Sequence, residues 1–309
     1  MTYVYDRFFG QKRSMQPVNR VDNELQHKRN INAFSIARSP CYNTHGLNRR
    51  ESCLILMIFA LGVGLCFGSF ANVLIYRLPR KLSVVSPPSA CPACNENIAF
   101  YDLLPIISWI LLKGRCRNCH AGISPRYPLI EISCALLFAG VVLLTPTLSV
   151  VFLWLFMFIL LTVSVIDWDT QEIPDSLLLA AAITGGIWVT AGHFSPLFPE
   201  APGFIAAGLG ILAGGLPLLL IDKLVIILFK KDGFGYGDVK LMAVCGLYLG
   251  VSIMFAAFFF AFIAGGIYAT FLLITGRAKR GEYIAFGPFL CAGVIAAMWF
   301  GQGFISLFI

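Results

Sequence analysis

Long apolar runs separated by short polar connections dominate the chain. The runs occupy residues 54–76, 129–145, 148–166, 177–193, 203–229, 239–250, 251–275 and 286–308. About 20 apolar residues in a helix cross the hydrocarbon core of a bilayer. The pattern therefore predicts an all-α polytopic membrane protein with about eight transmembrane helices and a short break near residue 250. The longest polar interruption, 77–127, predicts a small loop domain.

Charge gives these helices a direction. The chain is 58% hydrophobic and 13% charged, against about 25% charged residues in soluble domains. Loops near 146, 194–202 and 250 hold no Lys or Arg, whereas the 77–127 loop holds seven: Arg77, Arg80, Lys81, Lys113, Arg115, Arg117 and Arg126. The positive-inside rule makes that loop cytoplasmic. The net charge of +7 thus reflects topology and does not indicate a nucleic-acid partner.

The N-terminal segment 1–50 does not fit this scheme. It is polar and carries nine Lys and Arg, although eight spans would place it outside. We interpret it as a disordered extension or a misassigned start, with Met57 as a candidate initiator. Mass spectrometry of the native N-terminus tests this, because a mature Met1 would contradict it.

Two cysteine pairs stand in the 77–127 loop. The sequences CPAC and CRNC are separated by 21 residues and contribute Cys91, Cys94, Cys116 and Cys119. Paired C-x2-C knuckles are typical of a structural zinc site with four thiolate ligands and no open position for water. Disulfides are the alternative interpretation, which a cytoplasmic loop disfavours. His120 is an alternative ligand.

Acidic residues at the ends of spans are the candidates for chemistry. They are Glu131, Asp167, Asp169, Glu172, Asp175, Asp222 and Asp238. The predicted topology brings Asp167 and Asp238 to the cytoplasmic face. Two adjacent carboxyl groups share a proton and can act as general acid and general base around one water. A Ser/His or Cys/His system lacks a well-placed histidine, and the sequence contains no HExxH or Walker motif.

Most of these acids also have a structural interpretation, which for Asp222 is an ion pair with Lys223 at a helix end. Asp175 follows Pro174 at the start of an apolar run, which favours helix capping. Glu131 is expected to pair with an arginine of the loop, and Asp169 and Glu172 to be solvated or locally paired. Asp238 is also suited to the positive end of a helix dipole.

The stretch GFGYGD, 233–238, carries three glycines before Asp238. Glycine permits sharp turns and close approach of another backbone. We therefore expect Gly233 and Gly235 to turn the chain, and Gly237 to leave room beside the carboxylate for a substrate.

Several motifs together resemble the prepilin peptidases, bifunctional type IV leader peptidases and N-methyltransferases. They are FGSFANVLIYRLP (67–79), the two knuckles with DLLPIISWILLKGRCRNC (102–119), ISPRYPLIE (123–131), DWDTQEIPD (167–175) and GYGDVKLM (235–242). The resemblance implies eight spans and an aspartic protease of the GxGD type. It assigns catalysis to Asp167 and Asp238, and associates the zinc-binding loop with methylation.

The resemblance also implies substrates, partners and location. Such enzymes sit in the bacterial inner membrane with a cytoplasmic catalytic face. They cut the basic leader of prepilins or pseudopilins after a glycine, and methylate the new N-terminal residue with S-adenosylmethionine. Gly114, before the second knuckle, is our candidate contact for that cofactor, because a glycine permits close approach.

These inferences divide the chain into 1–50 (extension), 54–76 (first span), 77–127 (zinc loop) and 128–309 (peptidase membrane domain). Apart from its prepilin or pseudopilin substrates, the expected partner is the lipid bilayer. Two alternatives remain open. One is a GxGD intramembrane protease with other substrates and no methyltransferase activity, and the other is a non-enzymatic membrane scaffold or transporter with a zinc-stabilised loop.

Overall fold

The structure is a computed structural model. It describes residues 47–145, 147–230, 235–276 and 284–307, without the side chains of 47–52 and 229. Most of the predicted 1–50 extension lies outside these residues. The helices are α1 (Leu47–Arg77), α2 (Ile107–Leu111), α3 (Arg126–Leu144), α4 (Ser149–Thr170), α5 (Asp175–Phe194), α6 (Phe204–Phe229), α7 (Tyr236–Ile274) and α8 (Gly287–Ile305), with a 3₁₀ turn at Phe100–Leu103.

Seven of the described helices are long and apolar enough to cross a membrane. The longest, α7, has 39 residues, which at 1.5 Å per residue is about 58 Å and nearly twice the hydrocarbon thickness. Gly250 breaks it, with φ 68° and ψ −179°, a conformation favourable only to glycine. The two arms of α7 correspond to the predicted runs 239–250 and 251–275. The predicted fold class is therefore confirmed.

The kink returns the second arm of α7 to the end of the bundle where the first arm begins. Tyr268, on the second arm, has its ring centroid 5.5 Å from that of Trp168, next to Asp167. Phe289, at the start of α8, lies 5.2 Å from Tyr268. The ends of α4 and α7 and the start of α8 thus meet at one end of the bundle.

Helix α4 forms the centre of the bundle and is the most buried of the candidate spans in the described part of the chain. Its Trp154 stacks on Phe138 of α3 with centroids 5.2 Å apart and donates its indole N–H to the Phe138 carbonyl at 2.8 Å. On the opposite side, Phe156 stacks on Tyr248 of α7 at 4.0 Å. These aromatic contacts fix α4 between its neighbours, and the functional end of α4 is positioned with them.

Small residues bring α6 and α7 together. A Cβ on Gly210 would meet the backbone of Gly246, and a Cβ on Gly246 would meet that of Gly210. Close approach of backbones through glycine is a common way for helices to associate in membranes, where apolar burial adds little driving force. This contact fixes the first arm of α7, which begins two residues before Asp238.

Candidate active site and metal centre

Asp167 lies in the last turn of α4 and is buried, with 5% of its surface exposed. The run predicted to end at 166 continues to Thr170, because Gln171 adopts the left-handed conformation and donates its N–H to the Asp167 carbonyl at 2.9 Å. The Asp167 carboxylate accepts the backbone N–H of Gly287 at 3.0 Å. Since Gly287 is the first residue of α8, the positive end of that helix dipole faces the carboxylate.

Asp238 approaches the same place from α7. It is the third residue of that helix, is also 5% exposed, and its backbone N–H bonds to the Gly235 carbonyl at 3.0 Å. Its carboxyl group is close enough to that of Asp167 for their charges to interact. The structure thus brings together the two aspartates that the sequence places 71 positions apart.

Two buried thiols lie near the aspartate pair. Cys291, one turn into α8, interacts electrostatically with Asp167, Asp238 and Cys245 of α7. Both cysteines are at most 1% exposed. The aspartate pair therefore has an apolar side within the bundle, where unpaired charges are costly. Sharing one proton between the two carboxyls reduces that cost.

Gly237 has a role in packing, which differs from the role that we predicted for it. A Cβ at this position would lie 3.1 Å from Cβ of Ile173, in the loop between α4 and α5. The glycine brings the start of α7 against that loop, and with it Asp238 toward the α4 end. The space that we expected a substrate to use is occupied by Ile173. Gly233 lies outside the described residues.

Neighbouring acidic groups have partners of their own. Asp169 pairs with Arg126 at the start of α3, 43 positions away in the sequence, so its partner comes from another helix and is not a local cation. The capping prediction for Asp175 is wrong, because Pro174 occupies the capping position and Asp175 accepts a hydrogen bond from Lys240 at 2.8 Å. Both ion pairs reduce the negative charge around the aspartate pair.

The prediction that Glu131 pairs with an arginine is also wrong. Glu131 is buried in α3, where its carboxylate accepts the backbone N–H of Ile106 at 2.8 Å and a hydrogen bond from Ser69 of α1. Ile106 has φ 60° and ψ −49°, which is unusual for a β-branched residue. Glu131 thus joins the loop to two membrane helices.

The four predicted metal ligands converge. The sulfur atoms of Cys91, Cys94, Cys116 and Cys119 all lie within 4.8 Å of one another, and those of Cys91 and Cys119 are 3.8 Å apart. A tetrahedral zinc with Zn–S bonds of about 2.3 Å requires sulfur atoms about 3.8 Å apart. His120 is not part of the cluster. The donor set therefore fits a four-thiolate zinc site.

The two knuckles share one backbone design. Asn95 donates its N–H to the Cys91 carbonyl at 2.8 Å, and His120 donates to the Cys116 carbonyl at 3.1 Å. Asn95 and His120 both have positive φ, 58° and 59°. Each loop therefore folds back after its second cysteine, so that both of its sulfur atoms point to one place.

The pKa values of Cys91 and Cys94 also fit a site for a bound cation. Backbone N–H groups of Cys94 and Ala93 lower the pKa of Cys91 to about 6. For Cys94 the Glu96 N–H acts in the same direction, but burial and hydrogen bonds to the other cysteines raise its pKa to about 12. Once one thiolate has formed, the next is opposed by its charge, and a divalent cation removes that opposition.

Gly114 does not face open space. It has φ 66°, is buried, and a Cβ there would lie 3.0 Å from the Trp109 ring. Its neighbours Lys113 and Arg115 line a cavity of about 650 Å³ together with Leu111, Leu112, Cys116, Arg117 and His120. Small-molecule sites commonly have volumes of 300–1,000 Å³.

Sequence reasoning missed Gly287. Its N–H holds Asp167, and a Cβ there would lie 2.6 Å from the carboxylate Oδ2. The available signal was the Gly-Pro pair at 287–288, since proline favours the first turn of a helix. It marks the start of α8 but not the residue that this helix faces.

Comparisons with known proteins identify the family of this chain. Residues 63–145 match the model of the Bacterial Peptidase A24 N-terminal domain, and residues 154–270 match the Type IV leader peptidase family. No solved structure matches.

Three similar relatives are each named "Prepilin leader peptidase/N-methyltransferase". The relative from Bacillus subtilis is 35% identical, and the match covers 82% of this chain and 97% of the relative. The relative from Burkholderia pseudomallei is 34% identical, and the match covers 81% of this chain and 87% of the relative. The relative from Aeromonas salmonicida is 33% identical, and the match covers 76% of this chain and 88% of the relative. The chain belongs to the type IV leader peptidase family.

Proposed function

We propose that this protein cleaves the leader of prepilins or pseudopilins after a glycine and methylates the new N-terminal residue. The reaction takes place at the cytoplasmic face of the bacterial inner membrane. The convergence of Asp167 and Asp238 at one end of an apolar bundle supports the proposal most directly. The basic 77–127 loop connects helices at that same end, which is the cytoplasmic end by the positive-inside rule.

Cleavage requires one aspartate to be the general base and the other to carry the shared proton. Each carboxylate accepts one backbone N–H, Asp167 from Gly287 at 3.0 Å and Asp238 from Gly235. We assign the base to Asp167, whose donor is the first residue of α8, and the shared proton to Asp238. Asp167 takes a proton from water as the oxygen adds to the scissile carbonyl. The leaving amine receives a proton from Asp238 as the C–N bond breaks. This assigns the two halves of acid–base catalysis to named groups.

The loop supports the methylation half. Cys91, Cys94, Cys116 and Cys119 would hold a zinc ion with no open coordination position, so that zinc stabilises a loop too small to fold on its own core. S-adenosylmethionine supplies the methyl group when bound. In the cavity beside Gly114, the cations Lys113 and Arg115 would hold its carboxylate.

The decisive experiment incubates membranes with a prepilin peptide and labelled S-adenosylmethionine and measures both products by mass. We expect Asp167→Asn and Asp238→Asn each to abolish cleavage while the protein accumulates normally. Asp175→Asn is the matched control, because this nearby carboxylate is bound to Lys240. Cleavage retained in either test variant would exclude the pair as catalyst. Cleavage without label would indicate a leader peptidase lacking methylation.

A further inference from the structure

Five large apolar side chains of the 77–127 loop are exposed and close in sequence, and are here called the apolar ridge: Leu103, Leu104, Ile107, Ile110 and Leu111. Leu103 ends the 3₁₀ turn, Leu104 follows it and the other three lie on α2, and the exposed fractions rise from 43% at Leu103 to 75% at Leu111. Within α2, spacing of three and four residues places Ile110 and Leu111 on the same side of the helix as Ile107. Contiguous apolar surface of this kind marks an interaction site or a membrane contact.

On the opposite side of α2, the polar side chains form hydrogen bonds within the loop. The buried Ser108 donates its hydroxyl to the Tyr101 carbonyl at 3.0 Å. Trp109 donates its indole N–H to the Ile123 carbonyl at 3.1 Å and covers Gly114. The polar groups of this segment therefore face the rest of the loop, and the ridge faces outward.

Hydrogen bonds to Glu131 fix the position of the ridge along the axes of α1 and α3. The Ile106 N–H, directly before α2, bonds to a carboxylate five residues beyond the start of α3, or about 7.5 Å along that helix. Ser69, the other partner of Glu131, lies eight residues before the end of α1, or about 12 Å. The start of α2 thus lies beside the spans rather than beyond their ends.

Charge distinguishes among the candidate occupants of the ridge. The loop carries seven Lys and Arg against two acids, Glu96 and Asp102. Arg77 is buried, and Arg117 and Arg126 are paired with Asp102 and Asp169. Lys113, at the end of the ridge, is exposed. This excess of positive charge suits anionic lipid headgroups. It repels the basic leader of a prepilin.

From these observations we infer that the apolar ridge inserts into the headgroup–acyl boundary of the membrane that α1 and α3 cross, with anionic lipids around its basic rim. Apolar side chains with flanking Lys and Arg are the usual composition of an interfacial segment. The inference requires no step of the proposed reaction, although Leu111 and Lys113 also line the cavity proposed for the methyl donor. Its consequence is that the four-cysteine site is held at the membrane surface.

Photocrosslinking tests the insertion directly. The full-length protein, with benzoylphenylalanine replacing Leu111, is irradiated in vesicles of phosphatidylglycerol and phosphatidylethanolamine, and adducts are identified by mass spectrometry. Leu136, exposed on the span α3, is the positive control, and Asn118, exposed in the second knuckle, is the negative control. We expect lipid adducts at Leu111 in a yield of the same order as at Leu136, and none at Asn118.

Other outcomes would overturn the inference. Adducts at Leu111 with a second copy or with an added prepilin peptide, in place of lipid, would assign the ridge to that partner. Strong lipid adducts at Leu136 with none at Leu111 would exclude insertion. An equal yield in phosphatidylcholine vesicles would contradict the role of anionic lipid.

Two variants of opposite charge at position 111 provide a second test, in which benzoylphenylalanine replaces Ile107. Leu111→Glu should lower the yield of lipid adducts severalfold, because a carboxylate is repelled by anionic headgroups. Leu111→Lys should retain it, because lysine extends its charge to the interface. Equal losses in the two variants would contradict the inference.

Discussion

At the scale of single residues, the aspartate pair depends on a contact with a backbone N–H. Gly287 donates to Asp167, and any side chain at 287 would press on the carboxylate. The sequence alone identified Asp167 and Asp238 through their position at span ends and through the family motifs. It could not identify Gly287, because a backbone donor leaves no pattern of residue types and its partner is 120 positions away.

Gly287→Ala is therefore expected to impair cleavage. The new Cβ, 2.6 Å from Oδ2, would displace the carboxylate from its donor. Losing a hydrogen bond to a charged group costs about 1.5–3 kcal/mol, so we expect cleavage to fall by roughly 10- to 100-fold. Initial rates on a prepilin peptide measure this. Gly303→Ala in the same helix, where a Cβ meets nothing within 4 Å, should behave like wild type. Equal effects of both would refute the prediction.

Asp102 supplies a pH-dependent contribution to loop stability. The Arg117 guanidinium, hydrogen-bonded to it at 2.6 and 2.8 Å, lowers the pKa of Asp102 below its ordinary value of 3.8. A lowered pKa in the folded state stabilises the loop above the ordinary pKa, and this contribution is lost as pH falls through the folded-state value.

The prediction is that wild type unfolds at a higher temperature than Asp102→Asn at neutral pH, and that the difference narrows below about pH 4. Thermal unfolding in detergent at a series of pH values measures it, with both proteins sharing any acid loss of metal. A difference that stays constant with pH would exclude the ion pair as its source.

At the scale of elements, apolar patterning predicted the helices well and their polar contacts poorly. The break near 250 is found at Gly250, because a run too long for one span must bend at a residue that tolerates positive φ. The roles assigned to Asp175 and Glu131 were wrong. Their partners, Lys240 and Ile106, come from other elements, so local sequence rules could not indicate them.

The metal site should stabilise the loop and leave the bundle intact. Cys116→Ser removes one of four converging ligands, and we expect loss of about one bound zinc per chain and new protease cleavage within 77–127. Metal analysis and limited proteolysis measure the two effects, while helical circular dichroism should be retained. Cys66→Ser is the control, because this exposed thiol of α1 lies outside the cluster. Zinc retained by Cys116→Ser would contradict the four-thiolate site.

At the scale of the whole molecule, the two proposed activities depend on different parts of the structure. The aspartate pair is held by α4, α7 and α8, whereas the cavity proposed for the methyl donor lies on the loop between α1 and α3. Glu131 and the ion pair between Arg126 and Asp169 connect the two regions. Within the residues that the structure describes, a single ion pair, Arg126 with Asp169, links this region to α4, so we expect damage to the loop to leave the aspartates in place.

We therefore expect Cys116→Ser to lower methylation much more than cleavage. With an uncut prepilin peptide, the variant should release the leader at near the wild-type rate and leave the product largely unmethylated, and a peptide that already begins at the new N-terminus should also stay unmethylated. Gly287→Ala should show the opposite pattern, with weak cleavage and normal methylation of the pre-cut peptide. Labelled S-adenosylmethionine and product masses separate the two steps. Parallel loss of both activities in Cys116→Ser would show that the loop also supports the aspartate pair.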